Sequence, residues 1–236
     1  MKKKILFLIK NERNQRYGIL SLAAFLKEKG HVLDYVFINR EDELPLVMDK
    51  IKSFQPTYLA ISAMSGEVIF YLSILKKIKK IYPDLYAVMG GPHPTFDKSI
   101  IENPYIDAIC SGEGEEAFAE FLEKHPDDDF ISVKNFSFKT NDGKVIKNPL
   151  RPLVDINTLP IPDYDFFPRQ SDDRIVLFAS RNCVYRCTYC FNRDYAENYR
   201  KVGVKQIYSV MKVDKFLNTL KHLKNKYEGK FKYFFF

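Results

Sequence analysis

The sequence predicts an α/β protein built on a doubly wound parallel sheet. Over the first 125 residues, short apolar runs typical of buried strands alternate with longer stretches whose apolar residues recur at helical spacing. This alternation favours a parallel sheet, with right-handed crossovers that place helices on both of its faces. Hydrophobic residues make up 46% of the chain and charged residues 28%, as expected for a packed globular protein.

The elements of this first region follow from the apolar pattern and from helix-stopping residues. The predicted strands are Lys4–Lys10, His31–Ile38, Thr57–Ser62, Tyr86–Met89 and Asp107–Cys110. The predicted helices are Tyr17–Lys29, Glu43–Phe54, Glu67–Ile81 and Glu115–Lys124. Gly30 follows the first helix as a C-terminal stop, and Pro83 ends the third. We therefore assign residues 1–130 to one domain.

The rest of the chain predicts a hairpin, a linker and the beginning of a second domain. Two alternating runs flank Asn141-Asp142-Gly143, a strong signal for a hairpin turn. A proline-rich segment at 148–168 follows and is typical of an extended linker. We assign residues 131–172 to the hairpin and linker, and residues 173–236 to the second domain. Its predicted elements are the strand Arg174–Ser180, the helix Tyr208–Tyr227 and the strand Phe231–Phe236.

Charge is distributed unevenly along the chain. Residues 1–130 contain 17 Lys and Arg against 20 Asp and Glu, whereas residues 131–236 contain 20 against 10. The basic half, residues 131–236, is compatible with a nucleic-acid partner or an anionic substrate. Because no compact basic motif with interleaved aromatic residues is present, a solvated lysine-rich surface is the simpler interpretation. No apolar run approaches the roughly 18 residues of a membrane span and no signal-peptide pattern is present, which predicts a cytoplasmic protein.

Three of the four cysteines, Cys183, Cys187 and Cys190, are spaced C-x3-C-x2-C in the loop after the predicted strand Arg174–Ser180. Thiolates are the usual ligands of iron–sulfur clusters, and three of them leave one iron of a four-iron cluster open for a small molecule. The pattern also permits a zinc site with His222 as the fourth ligand, a Cys187–Cys190 redox pair or packed thiols. The nearby cations that could offset a cluster's charge are Arg181, Arg186 and Arg193.

A ligand site is predicted at the carboxyl ends of the strands of the first domain, where open α/β sheets bind their ligands. The segments at these ends are Asn11–Arg16, Ser62–Gly66, Gly90–Thr95 and Ser111–Gly114. Glycine there lets the backbone approach a bulky ligand, although such glycine pairs are also common in plain turns. The candidate binding residues are Ser62, Ser65, Gly66, Gly90, Gly91, Pro92, His93, Gly112, Glu113 and Gly114. No G-x-G-x-x-G is present, which disfavours a nicotinamide cofactor.

Four stretches of the sequence resemble parts of a known enzyme family. CVYRCTYC at 183–190 resembles the C-x3-C-x-aromatic-C signature of the radical S-adenosylmethionine (SAM) enzymes, with Tyr189 as the aromatic residue. VMGGPHPT at 88–95 and DAICSGEGEEAF at 107–118 look like the cobalamin-binding, Rossmann-like domain that precedes the radical SAM barrel in one large subgroup. The stretch 141–168 is similar to that subgroup's connecting segment. The resemblance covers nearly the whole chain, in the same order.

The resemblance implies a fold and a mechanism. The chain would form a Rossmann-like cobalamin-binding domain, a hairpin and linker, and a partial TIM-like barrel that is truncated, because such barrels run on for more than roughly 150 further residues. Cys183, Cys187 and Cys190 would hold a four-iron four-sulfur cluster whose open iron binds SAM, and Tyr189 would contact the adenine. An electron from a donor such as flavodoxin or ferredoxin would yield a 5′-deoxyadenosyl radical, for methyl transfer or rearrangement of an unknown substrate.

The resemblance also leaves functions open. Cobalamin would bind without a histidine ligand to cobalt, because D-x-H-x-x-G is absent and His93 lies in GGPHPT instead. No catalytic residue can be assigned, since the family contacts SAM through later barrel strands, and the chain as given is expected to be too short to turn over. The alternatives are a non-catalytic cobalamin or nucleotide carrier module and a zinc-stabilised, nucleic-acid-modifying protein.

Overall fold

The chain divides into two compact units. The computed structural model describes residues 2–10, 16–140, 142–168 and 174–236. The first unit comprises Met1–Asn11 and Leu26–Arg151, and the second comprises Glu12–Phe25 and Pro152–Phe236. The boundaries near residues 130 and 172 that the sequence suggests stay predictions.

The first unit contains a seven-stranded sheet. Its strands are β1 (Lys4–Ile9), β2 (Val32–Phe37), β3 (Tyr58–Ser62), β4 (Tyr86–Gly90), β5 (Ala108–Cys110), β6 (Phe136–Lys139) and β7 (Val145–Lys147). They lie in the order β2-β1-β3-β4-β5-β6-β7, with β1 to β5 parallel and the last two antiparallel to their neighbours. The helices are α1 (Tyr17–Glu28, shared with the second unit), α2 (Leu44–Phe54), α3 (Val68–Ile81), α4 (Pro92–Phe96) and α5 (Glu115–Lys124). This Rossmann-like sheet confirms the predicted α/β fold class.

The order of the strands creates a switch point beside β1. The chain passes from β1 to β2 on one side, and β3 then lies on the other side of β1. Ligands of open α/β sheets bind beyond the carboxyl ends of the strands at such a point. All five residues from Ile5 to Ile9 are at most 2% exposed, so β1 is the buried centre of this arrangement. The predicted contribution of Asn11–Gln15, which follow β1, lies outside the described residues.

The predicted hairpin is confirmed, and it extends the sheet of the first unit. β6 pairs antiparallel with β7 through Phe138 and Ile146, and with β5 through Phe136 and Cys110. Phe136 and Phe138 are fully buried, and their rings stack on Phe121 of α5 with centroid distances of 4.9 and 5.8 Å. Aromatic burial of this kind anchors the hairpin to the core of the first unit.

The described part of the second unit contains two short strand pairs and two helices besides its share of α1. Its elements are β8 (Arg174–Val176), β9 (Ser180–Arg181), α6 (Phe191–Lys201), β10 (Ser209–Val210), α7 (Val213–Lys226) and β11 (Tyr233–Phe235). β8 pairs in parallel with β11, and β9 pairs antiparallel with β10. A parallel strand pair joined through helices is the arrangement expected at the start of a β/α barrel. Across the described parts of both units, no helix is long and apolar enough to cross a membrane.

Three elements of the second unit differ from the sequence-based expectation. The helix predicted at Tyr208–Tyr227 begins only at Val213, because Ser209 and Val210 pair with β9 as a strand. The strand predicted at Arg174–Ser180 is shorter, because β8 ends at Val176 and the chain enters a separate strand at Ser180. Helix α6 lies outside the predicted elements. Its aromatic residues recur at helical spacing, but polar and charged residues dominate the segment and only Ala196 and Tyr199 are buried.

Two partly buried histidines of the first unit predict acid destabilisation. The pKa values of His31 and His125 lie below their usual 6.5, chiefly because burial disfavours the charged imidazole. Below about pH 6.5 the unfolded chain therefore binds protons that the folded chain does not, and stability that is present above this pH is lost as pH falls. We expect the melting temperature to decrease from about pH 7.5 to about pH 5.5.

Histidine variants test this prediction through the same measurement of melting temperature against pH. The double variant His31→Asn, His125→Asn should show a shallower decrease across this range than the wild type. A double variant whose melting temperature falls as steeply as that of the wild type would contradict this assignment.

Candidate functional site

Three of the predicted ligand-binding segments come together at one edge of the first unit's sheet. We call them the sheet-edge site, which consists of Ser62–Gly66, Gly90–Thr95 and Ser111–Gly114. The Ala63 N–H donates to the Gly90 carbonyl oxygen at 2.9 Å, and the His93 N–H donates to the Ala63 carbonyl oxygen at 3.0 Å. The first two segments are therefore joined by backbone hydrogen bonds immediately beyond the paired ends of β3 and β4.

Gly91 is required where these two segments cross. Its φ is +94°, and a Cβ at this position would lie 2.8 Å from Ser62 Oγ and 2.9 Å from the Ala63 nitrogen. Any other residue would combine a disfavoured backbone conformation with a clash against backbone. The sequence-based choice of Gly91 is thus explained by close approach of protein backbone, independently of any ligand.

Thr95 and Ser111 join the second segment to the third. Buried Thr95 donates through Oγ1 to the Gly91 carbonyl oxygen and accepts from the Gly112 N–H, both at 2.9 Å. Ser111 Oγ donates to the Pro94 carbonyl oxygen at 2.8 Å. Neither hydroxyl can be recognised as a site residue from the sequence, because the partners of Thr95 and Ser111 lie 17 residues away along the chain.

The outer part of the sheet-edge site is open to solvent. Met64, Ser65 and Gly66 are exposed, whereas Ser62 and His93 are half-buried. His93 Nδ1 lies 3.2 Å from Ser65 Oγ, and its Nε2 lies 4.0 Å from Asp97 Oδ2. Both ring nitrogens of His93 therefore face polar side chains of the protein.

Cys110, which ends β5 beneath this site, is a packing residue. Its side chain is buried, and burial together with the charge of Glu115 raises the thiol pKa to about 12. A thiol that stays protonated at neutral pH is a poor metal ligand and a poor nucleophile. The chemistry of this chain's thiols is therefore confined to the other three cysteines.

Those three cysteines lie on one surface loop of the second unit, Asn182–Cys190, which we call the cysteine loop. Cys183 and Cys190 are half-buried, Cys187 is exposed, and all three are free thiols. The Cys190 N–H donates to the Cys187 carbonyl oxygen at 3.1 Å, and Cys190 directly precedes α6. Tyr189 is 91% exposed beside Cys190.

The donor chemistry of the cysteine loop fits an iron–sulfur cluster, since three unpaired thiols on one loop are the ligand set such clusters use. The structure does not gather their sulfur atoms around one point: within the described ranges, no three His, Cys, Asp or Glu side chains form a group placed to hold a metal ion. His222, the fourth ligand of the zinc interpretation, is exposed on α7 and belongs to no such group.

An ion-pair triad ties the cysteine loop to α6. Arg186 Nη2 donates to Glu197 Oε1 at 2.5 Å, and Arg200 Nη1 donates to the same oxygen at 3.1 Å. Of the other two cations near the loop, Arg181 donates to Ser21 Oγ at 2.9 Å and Arg193 is exposed. Glu197 was missed by the sequence analysis because it is one of several charged residues on a polar helix.

The start of the cysteine loop is held by the proline-rich segment. Asn157 accepts from the Lys212 N–H at 2.7 Å and donates to the Val210 carbonyl oxygen at 3.2 Å. Lys215 donates to the carbonyl oxygens of Asn157 and Ile156 at 2.8 and 3.0 Å. These bonds fix β10, which pairs with β9 and so sets the strand from which the loop departs.

Comparisons with known proteins agree with this arrangement. Residues 13–122 match the family model described as the B12 binding domain. An uncharacterized methyltransferase, PH0819 of Pyrococcus horikoshii, is 29% identical over 200 residues, which cover 80% of this chain and 43% of that protein. The cobalamin-dependent radical SAM methyltransferase TokK of Streptomyces tokunonensis is 28% identical over 151 residues, which cover 58% of this chain and 22% of TokK. The chain is thus similar to cobalamin-dependent radical SAM methyltransferases, and residues 13–122 match a B12 binding domain.

The fold of this chain is shared with a solved structure. The cobalamin-dependent SAM radical enzyme OxsB, with aqua-cobalamin and SAM bound, superimposes with a TM-score of 0.74 at 20% identity. The match covers 97% of this chain and 32% of OxsB. The chain thus spans less than half the length of PH0819, TokK or OxsB.

Proposed function

We propose that this chain binds cobalamin at the sheet-edge site and carries a four-iron four-sulfur cluster on the cysteine loop. In this proposal it is the cobalamin- and SAM-binding part of a radical SAM enzyme that methylates or rearranges its substrate. The observation that carries the proposal is the presence of three free thiols on one exposed loop, spaced C-x3-C-x2-C, in a chain whose earlier residues match a B12 binding domain.

At the sheet-edge site the protein would supply a rigid, narrow rim for a large cofactor. Gly90 and Gly91 let the backbone beyond β4 pack closely against its neighbours, and Ser65 and Gly66 leave exposed, small surfaces beside it. Pro92, His93 and the Gly112–Gly114 turn complete the rim that we assign to cobalamin. When bound, cobalamin would supply the methyl-transfer or rearrangement chemistry, while these residues orient it and limit access of water.

At the cysteine loop, Cys183, Cys187 and Cys190 would be the three ligands of the cluster. When bound, the cluster would supply the electron that cleaves SAM to a 5′-deoxyadenosyl radical. The chain's own contribution is to hold the loop through Arg186 and Glu197 and to offer Tyr189 to the adenine of SAM. We propose a small one-electron donor, such as flavodoxin or ferredoxin, and a cytoplasmic setting, where thiols stay reduced.

Titration with aquacobalamin tests the first half of this proposal. We expect saturable binding at about one cobalamin per chain, with a change in the cobalamin absorption spectrum, because the free corrinoid is moved from water into a structured rim. The matched control is a variant that disrupts only the cysteine loop, such as Cys183→Ala, which should bind cobalamin unchanged. A folded wild-type chain that leaves the spectrum unchanged would contradict cobalamin binding.

Iron and sulfide content distinguishes a cobalamin carrier from the proposed enzyme. A non-catalytic cobalamin carrier would bind cobalamin but would not retain iron or sulfide after anaerobic reconstitution. The zinc-stabilised, nucleic-acid-modifying alternative would retain zinc, without iron or sulfide, after the same treatment.

A further inference from the structure

Asn135 occupies an unusual position directly before β6. It is only 2% exposed, and its φ of +71° lies in the left-handed region that most residues avoid. Asparagine tolerates this conformation better than other residues with a Cβ, but the conformation persists only where surrounding contacts determine it. The sequence offered no sign of this role, because Asn135 lies in a polar stretch before the hairpin.

All four polar groups of Asn135 have partners within the first unit. Its backbone N–H donates to the Pro149 carbonyl oxygen at 2.9 Å, and its carbonyl oxygen accepts from the Ser111 N–H at 2.8 Å. Its side-chain Nδ2 donates to the Glu113 carbonyl oxygen at 2.7 Å, and its Oδ1 accepts from the Arg151 N–H at 2.6 Å. One buried residue thus binds the third segment of the sheet-edge site on one side and the chain at 149–151 on the other.

The same two regions are joined a second time through charge. The Arg151 guanidinium donates to Glu116 at 3.2 Å and also pairs with Glu120, and both carboxylates lie on α5, which follows the Ser111–Gly114 segment. Thr95 holds that segment from the opposite side through the Gly112 N–H. The segment is therefore clamped between Thr95 and Asn135.

We propose that Asn135 is a positioning residue that presets the Ser111–Gly114 segment for cofactor binding; this rests on the proposed binding of cobalamin at the sheet-edge site. Gly112 has a φ of +79°, and a turn containing two glycines has many alternative conformations when it is unrestrained. A segment that is ordered before binding avoids the entropy loss of being ordered by the ligand. Without the clamp, cobalamin would have to order the turn itself, and its affinity would fall.

Two substitutions distinguish the role of the Asn135 side-chain hydrogen bonds from that of its backbone hydrogen bonds. Asn135→Gly keeps the left-handed backbone and its two backbone hydrogen bonds but deletes both side-chain bonds. Asn135→Asp keeps the shape and the acceptor for the Arg151 N–H, but it places an oxygen where the donor to Glu113 stood. The matched control is Val133→Ala, which removes buried apolar volume two residues away and leaves every bond to the segment in place.

The experiment measures aquacobalamin affinity by absorption titration, and amide hydrogen exchange at Ser111 and Gly112 without cobalamin. We expect Asn135→Asp and Asn135→Gly to weaken binding roughly tenfold and to speed exchange at both amides. Val133→Ala should lower the melting temperature while affinity and exchange at these amides stay at wild-type values.

The possible failures are distinguishable. Wild-type affinity in Asn135→Asp, or equal weakening in Val133→Ala, would overturn the positioning role and leave cobalamin binding intact. A wild-type chain that does not bind cobalamin would overturn the proposed function and the positioning role together. If Asn135→Gly does not fold, Asn135→Asp alone decides between these outcomes.

Discussion

Replacing Gly91 by alanine is expected to lower the melting temperature sharply and to abolish cobalamin binding. The left-handed φ of +94° alone costs a residue with a Cβ about 1–3 kcal/mol. The new methyl group would also lie 2.9 Å from the Ala63 nitrogen and 3.0 Å from its carbonyl oxygen, so the backbone at the end of β3 must move. Because this movement separates two segments of the sheet-edge site, binding should be lost even in molecules that remain folded.

Thermal unfolding and an absorption titration with aquacobalamin measure the two effects separately. Gly66→Ala is the matched control for stability, since a Cβ at Gly66 meets no atom within 4 Å. We expect its melting temperature to stay within a few degrees of the wild type, as for other uncrowded surface substitutions. Gly91→Ala with the stability and the affinity of the wild-type chain would show that the two segments do not cross as described.

Replacing Cys187 by alanine is expected to remove the iron–sulfur cluster from a chain that remains folded. Cys187 is exposed, so its side chain contributes little to packing, and a cluster that lacks one of three protein ligands should not survive desalting. The measurement is the iron and sulfide content after anaerobic reconstitution, together with the visible absorption of the cluster and the melting temperature of the apo chain.

Cys110→Ala is the matched control for this loss of a thiol. Cys110 is buried under the sheet-edge site and has a raised pKa, so its replacement should leave the iron content unchanged while lowering stability modestly. If Cys187→Ala kept its iron while Cys110→Ala lost it, the cluster would have to be assigned to another part of the chain.

Sequence patterns predict the first unit well because its elements carry strong local signals. β1 is a continuous apolar run, and α3 and α5 have apolar residues at helical spacing ended by a clear stop. The signal of α6 is weaker, because polar and charged residues outnumber its apolar residues and only Ala196 and Tyr199 are buried. The short strands β9 and β10 are set by pairing between distant residues and not by their own composition.

The candidate site shows the same division between local and distant determinants. Sequence patterns select Gly91 and the cysteines at 183, 187 and 190, because the residue type and its neighbours in the chain already indicate the role. The clamp formed by Thr95 and Asn135 joins residues 17 and 22 positions away in the chain, and only the fold brings these partners together. Residues that hold a site in place are therefore harder to predict than residues that form its surface.

The most direct test of the account is to count cofactors in one sample of the wild-type chain. The protein is reconstituted anaerobically with iron, sulfide and aquacobalamin, desalted, and analysed for iron, sulfide, zinc and cobalt per chain. The account predicts roughly four irons with a matching amount of sulfide and about one cobalt. Cobalt without iron would leave a cobalamin carrier, and zinc in place of iron, or a folded chain with neither iron nor cobalt, would contradict the assignment of both sites.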